Sequence, residues 1–141
     1  MRYYLDTNIL AFLLLPDATE ELTAEVIQII FGYEDLLMTS TVCVHELIHL
    51  LQIGKLSSRG YRQWNAENVM QHLKDYNIQI VPITEHHLQT YAALPLYENH
   101  RDPNDRLIVA QAIADRLPVI SSDRKFTLYV KHGLDFIFNE R

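Results

Sequence analysis

The chain has 141 residues, of which 48% are hydrophobic and 21% charged, and a formal net charge of −6. That length suits one domain spanning residues 1–141 with a core that needs no disulfide or structural metal, and the composition carries no linker, repeat or disordered tail. The acidic balance argues against a protein that grips nucleic acid through a broad basic face.

In chain order, Arg2–Leu5 reads as a strand that ends abruptly in Asp6-Thr7-Asn8. Ile9–Leu15 reads as a short apolar helix stopped by Pro16. It is far shorter than the about 18 residues that cross a bilayer, and Asp6 stands where a signal peptide would carry positive charge. The chain therefore reads as cytoplasmic, with no membrane partner. The run Glu20–Ile30 has helical spacing and ends at Gly32. Leu36–Thr39 is a second strand, after which Ser40 or Thr41 caps a helix from Val42 to Ile53, with Glu46 about one turn in. The single cysteine, Cys43, lies between Val42 and Val44 and reads as a small core residue.

Ser57 or Ser58 opens a helix expected to run through Leu73, with Tyr61, Trp64 and Leu73 on its apolar side and Arg59, Arg62 and Lys74 solvated. Ile78–Ile83 is a third strand, and Thr84 caps a helix to about Leu94 whose His86 and His87 are expected to face water. Pro95–His100 reads as an irregular loop. Asp102-Pro103 then supplies an N-cap followed by proline at the first helical position, placing Asp105 in the first turn of a helix through Arg116. Leu117–Ser122 is a fourth strand ending in Asp123, which repeats the geometry of Asp6. A short helix to His132, a stop at Gly133 and a fifth strand within Leu134–Phe138 finish the chain.

Strands alternating with helices imply right-handed crossovers, hence an α/β fold: a four- to five-stranded, mostly parallel sheet between two helical layers. With the first and fourth strands adjacent, Asp6 and Asp123 meet at the switch point where open sheets of this class bind ligands. Glu46 and Asp105 open helices at the same sheet end. Each acid alone could merely cap a helix. Four together repel unless a cation neutralises them, and oxygen-only ligands favour Mg²⁺ or Mn²⁺, which can serve in-line attack on a phosphodiester.

Asp6-Thr7-Asn8, Glu46 after the second strand, the run from His100-Arg101-Asp102-Pro103-Asn104-Asp105 to Ala112, and Ser121-Ser122-Asp123-Arg124-Lys125-Phe126 resemble, in order, the signature of PIN-domain nucleases, particularly VapC-type toxins. The resemblance implies that Asp6, Glu46, Asp105 and Asp123 are both the catalytic acids and the Mg²⁺ or Mn²⁺ ligands of an endoribonuclease acting on single-stranded or looped RNA. It places Asn8 and Ser122 beside that site and leaves Asp102 a minor role. It further implies a homodimer and an antitoxin protein that covers the acidic cleft. Arg101, Arg106, Arg124 and Lys125 flank the expected cleft and are offered as RNA phosphate contacts.

Other readings compete. A PIN nuclease can work in RNA processing with no toxin role. His45-Glu46-Leu47-Ile48-His49 is a literal match to a zinc-peptidase helix, with Glu67 as a distant third ligand, although Gln52 and Lys55 stand where its extended form has glycine and histidine. A module that holds a cation without turnover is the third.

Overall fold

The computed structural model of the chain describes residues 1–56 and 64–141. Five strands, β1 (Arg2–Leu5), β2 (Leu36–Ser40), β3 (Ile78–Val81), β4 (Val119–Ser121) and β5 (Phe136–Phe138), form one sheet in the order β3-β2-β1-β4-β5. Every pairing is parallel, with Tyr4 beside Met38 on one side and Val119 on the other. The chain builds outward from β1 through β2 to β3 and then returns to place β4 on β1's other side, which puts the switch point between β1 and β4.

Successive residues of the central strands are buried, Tyr3, Tyr4 and Leu5 in β1 and Val119, Ile120 and Ser121 in β4. Alternate side chains point to opposite faces, so both faces of the sheet are covered by helices, as an α/β/α sandwich requires. The covering helices are α1 (Thr7–Phe12), α2 (Ala24–Phe31), α3 (Thr41–Gln52), α4 (Val69–Asp75), α5 (Glu85–Ala93) and α6 (Pro103–Asp115), with 3₁₀ segments at Ala18–Glu21 and Arg124–His132. Among the described residues no helix is long and apolar enough to cross a membrane.

Three expectations change. The run Glu20–Ile30 is not one helix, because Leu22 is extended and buried, and the Thr23 hydroxyl caps a new start by accepting the Val26 N–H at 3.3 Å. The helix expected from Ser57 or Ser58 begins within residues 57–63, which lie outside the described residues together with Arg59, Tyr61 and Arg62. Beyond them the chain makes a turn, in which Asn65 Oδ1 accepts the N–H groups of Glu67 and Asn68, and a helix runs from Val69 to Asp75. Trp64 is buried there, stacked on His72 with ring centroids 4.8 Å apart.

His87, expected to face water, is 3% exposed. Its Nδ1 accepts the Thr84 N–H at 3.0 Å, closing the N-terminus of α5, while Nε2 lies 2.9 Å from Asp115 Oδ1 at the end of α6. A polar ring that joins two helix ends in this way is shielded by the packing between them. His86, its neighbour, is exposed as expected.

Candidate metal centre

The β1–β4 ladder continues one residue past β1, since the Asp6 N–H donates to the Ile120 carbonyl at 3.0 Å. Asp6 is 2% exposed and both caps and lines the site. Its Oδ1 accepts the Thr7 N–H at 2.7 Å, and its Oδ2 accepts the Ser121 hydroxyl at 2.6 Å and the Asn8 amide at 3.2 Å. Capping and site roles are therefore not alternatives. Burial drives the Asp6 carboxyl up to about 6, with Asp123 adding repulsion and the three donors opposing it.

Glu46, in the second turn of α3, accepts the Thr7 hydroxyl at 3.1 Å. Burial first, then Asp6 and Asp102, push it up to about 7. Asp105 is the third residue of α6, reached through the Asp102 cap whose Oδ1 accepts the Asn104 N–H at 2.8 Å. Desolvation, followed by Asp6, Asp102, Glu46 and Asp123, drives Asp105 up to about 8. Asp123 caps the Arg124–His132 segment by accepting the Lys125 N–H at 3.0 Å, while its own N–H donates to Ser121 Oγ at 2.9 Å. The four acids foreseen from the sequence thus act on one another at a single sheet end.

Two residues of this site are given no role by the sequence, although both stand in the motifs behind the family resemblance. Ser121 is fully buried and bonds both Asp6 and Asp123, yet nothing in Ser121-Ser122 distinguishes the bracing hydroxyl from its neighbour. His100, expected to end an irregular loop and to open the motif that runs to Ala112, is 4% exposed, and Phe126 and Tyr129 approach its ring edge-on. Its Nε2 lies 3.7 Å from Asp105 Oδ2 and 3.7 Å from Asp123 Oδ2. Burial lowers its pKa against the pull of Asp123, which favours the neutral ring.

The flanking residues divide. Asn8 Oδ1 accepts the Ser122 N–H at 3.0 Å, and Ser122 Oγ accepts from Asn139 at 2.8 Å, so both brace the strand ends and do not reach outward. Arg106 is not on the cleft rim: it is 7% exposed, its guanidinium donates to the carbonyls of Leu94 and Pro95, and it lies over the Tyr91 ring. Those contacts withdraw it from phosphate binding. Arg101, Arg124 and Lys125 are exposed. Arg124 and Lys125, with Lys131, line an open groove of about 780 Å³ that begins at Asp123.

A divalent cation fits these residues. Three carboxylates held near or above neutrality are short of positive charge, and their oxygens are the donors such ions take. Among the described residues, ligand atoms of His100, Asp105 and Asp123 lie within 4.8 Å of one another. His45, Glu46 and His49 line one small pocket of α3, but among the described residues no third metal ligand, Glu67 included, gathers with them, and Glu46 is bonded to Thr7.

The PIN domain model matches residues 3–131 of the chain. No curated protein matches it in sequence. Solved structures of similar fold include VapBC2 from Rickettsia felis bound to a promoter DNA fragment, at 18% identity and TM-score 0.64, covering 99% of this chain and 100% of that one. A toxin–antitoxin complex from Klebsiella pneumoniae aligns at 17% identity and TM-score 0.64, over 96% and 95% of the two chains. VapC20 of Mycobacterium tuberculosis, a toxin cleaving the sarcin–ricin loop, aligns at 17% identity and TM-score 0.61, over 89% and 93%.

Proposed function

Since the chain belongs to the PIN-domain family, we propose that it is a Mg²⁺- or Mn²⁺-dependent endoribonuclease that cuts single-stranded or looped RNA in the cytoplasm as the toxin of a toxin–antitoxin pair. The observation that carries this is the convergence of Asp6, Glu46, Asp105 and Asp123 at the β1–β4 switch point, where burial first and neighbouring carboxylates second hold Asp6, Glu46 and Asp105 high. Asp6, Asp105 and Asp123 would hold the cation, with Glu46 beside them. When bound, the cation offsets the negative charge that builds on a phosphodiester under in-line attack.

The protein's own part is positioning and proton handling. Ser121, Thr7 and Asn8 fix the Asp6 carboxylate, so its geometry need not reorganise during reaction. Glu46, held by the Thr7 hydroxyl beside the three aspartates, is placed to take a proton from the attacking water. Arg124, Lys125 and Lys131 along the groove from Asp123, and exposed Arg101, supply the cationic track that the overall charge lacks.

Likeness to a toxin–antitoxin complex and to a toxin cleaving the sarcin–ricin loop supports the toxin role and an antitoxin protein as partner; assembly as a homodimer rests on the family resemblance alone. The test is cleavage of single-stranded RNA by the purified chain with Mn²⁺ or Mg²⁺, lost in Asp6→Asn and Asp105→Asn. Undiminished cleavage by both variants sinks the nuclease reading. Growth arrest on expression of the wild-type chain but not of Asp105→Asn supports the toxin role, and unimpeded growth despite cleavage in vitro moves the reading to RNA processing.

A further inference from the structure

We propose that His100 is a nitrogen ligand of the bound cation through Nε2, so that the centre is a mixed nitrogen–oxygen site that selects Mn²⁺ over Mg²⁺. This role rests on the metal-dependent reading of the site and replaces the all-oxygen donor set expected from the sequence.

His100 Nε2 is buried and has no hydrogen-bond partner among the described residues. A buried ring nitrogen left so is costly, and its presence calls for an occupant. It is aimed between two carboxylates, 3.7 Å from Asp105 Oδ2 and 3.7 Å from Asp123 Oδ2. That is too long for a hydrogen bond. It is close to the spacing of donor atoms sharing an ion: bonds of about 2.1 Å put neighbouring ligand atoms roughly 3–3.5 Å apart. Inward movement of a few tenths of an ångström would complete the contacts.

The rest of the ring is held for that role. Nδ1 lies 2.7 Å from the Tyr129 hydroxyl, and Tyr129 is fully buried, so the partner cannot swing away. A proton on Nδ1 donated to that hydroxyl leaves the Nε2 lone pair facing Asp105 and Asp123. An outer hydrogen bond of this kind orients a metal-bound histidine, and metal binding at Nε2 itself selects the Nδ1–H tautomer. Imidazole nitrogen suits first-row transition ions, whereas Mg²⁺ takes oxygen almost exclusively.

The test uses the full chain, stripped of metal and reloaded with Mn²⁺, and reads ¹⁴N coupling to the bound ion by pulsed electron paramagnetic resonance. The wild-type protein should show coupling to one imidazole nitrogen. His100→Ala should abolish it and lower Mn²⁺ affinity about ten-fold or more, with a much smaller change for Mg²⁺. Tyr129→Phe should keep the coupling while weakening binding. Bound Mn²⁺ without ¹⁴N coupling, or coupling that persists in His100→Ala, overturns the assignment and leaves the nuclease reading intact; Mg²⁺ binding without Mn²⁺ binding overturns the assignment alone, and absence of binding by either ion overturns both. If the alanine variant fails to fold, His100→Gln, which keeps a polar side chain of similar size but no imidazole, should likewise abolish the coupling.

Discussion

Ser121 Oγ donates to Asp6 Oδ2 at 2.6 Å and accepts the Asp123 N–H at 2.9 Å, so one hydroxyl on β4 couples the acid that follows β1 to the acid that follows β4. The bond favours the ionised form of Asp6 against its burial. Ser121→Ala should therefore raise the Asp6 pKa further and loosen Asp123. Calorimetric titration with Mn²⁺ at pH 7 should show affinity reduced by about 10- to 100-fold, the usual cost of removing a partner that orients a ligand.

The metal-free protein should lose stability as pH rises. Asp6, Glu46 and Asp105 stand at about 6, 7 and 8 in the folded chain, against ordinary values of 3.8, 4.5 and 3.8. A raised carboxyl binds more protons folded than unfolded, so its contribution is fully present below the ordinary value and is lost as pH climbs through the folded one. Thermal melts of the metal-free chain should show Tm falling between about pH 5 and 8.5, and saturating Mn²⁺ should flatten that fall. A metal-free Tm that rises across this window would contradict the repulsion ascribed to the cluster.

Asp115 offers a contrast, because it serves packing alone. It accepts the Tyr4 hydroxyl at 2.5 Å and pairs with buried His87 at 2.9 Å. Asp115→Ala strands both groups and should destabilise by about 2–4 kcal/mol in urea unfolding. It lies ten residues beyond Asp105 on α6, roughly 15 Å along the helix axis, so Mn²⁺ affinity should change by less than about two-fold.

The groove from Asp123 makes a separate prediction. In an Asp105→Asn background, charge reversal at Arg124 and Lys125 should weaken single-stranded RNA binding. If each residue meets one phosphate, the dependence of log affinity on log salt should flatten by about 0.7 per residue removed. Fluorescence anisotropy across a salt series reads both effects. A strong loss of affinity with an unchanged slope would mean that these residues act otherwise than by phosphate contact.

Local pattern was enough to place Asp6, Glu46, Asp105 and Asp123 at strand and helix starts, because apolar runs ending in acids and the Asp102-Pro103 cap are written in adjacent residues. What adjacency cannot express is a partner far along the chain. His87 is buried by Asp115, 28 positions on, and Ser121 matters through Asp6, 115 positions back. His100 joins the site because the chain folds it between Asp105 and Asp123, and loop composition carries no sign of that. Thr23 likewise divides an apparently continuous helix while its own N–H is held by Asn139 Oδ1 at 2.8 Å.

The ladder that seats Asp6 has a consequence for how the protein is made. β1 leaves the ribosome long before β4, and its acid lacks the Ser121 hydroxyl until a further 115 residues have been joined. Nascent chains emerge from the N-terminus, at about 5–20 residues per second, so through all of that stretch the growing polypeptide carries an incomplete cleft. Under the nuclease reading, an enzyme wired in this way has no complete acidic cleft until β4 docks beside β1.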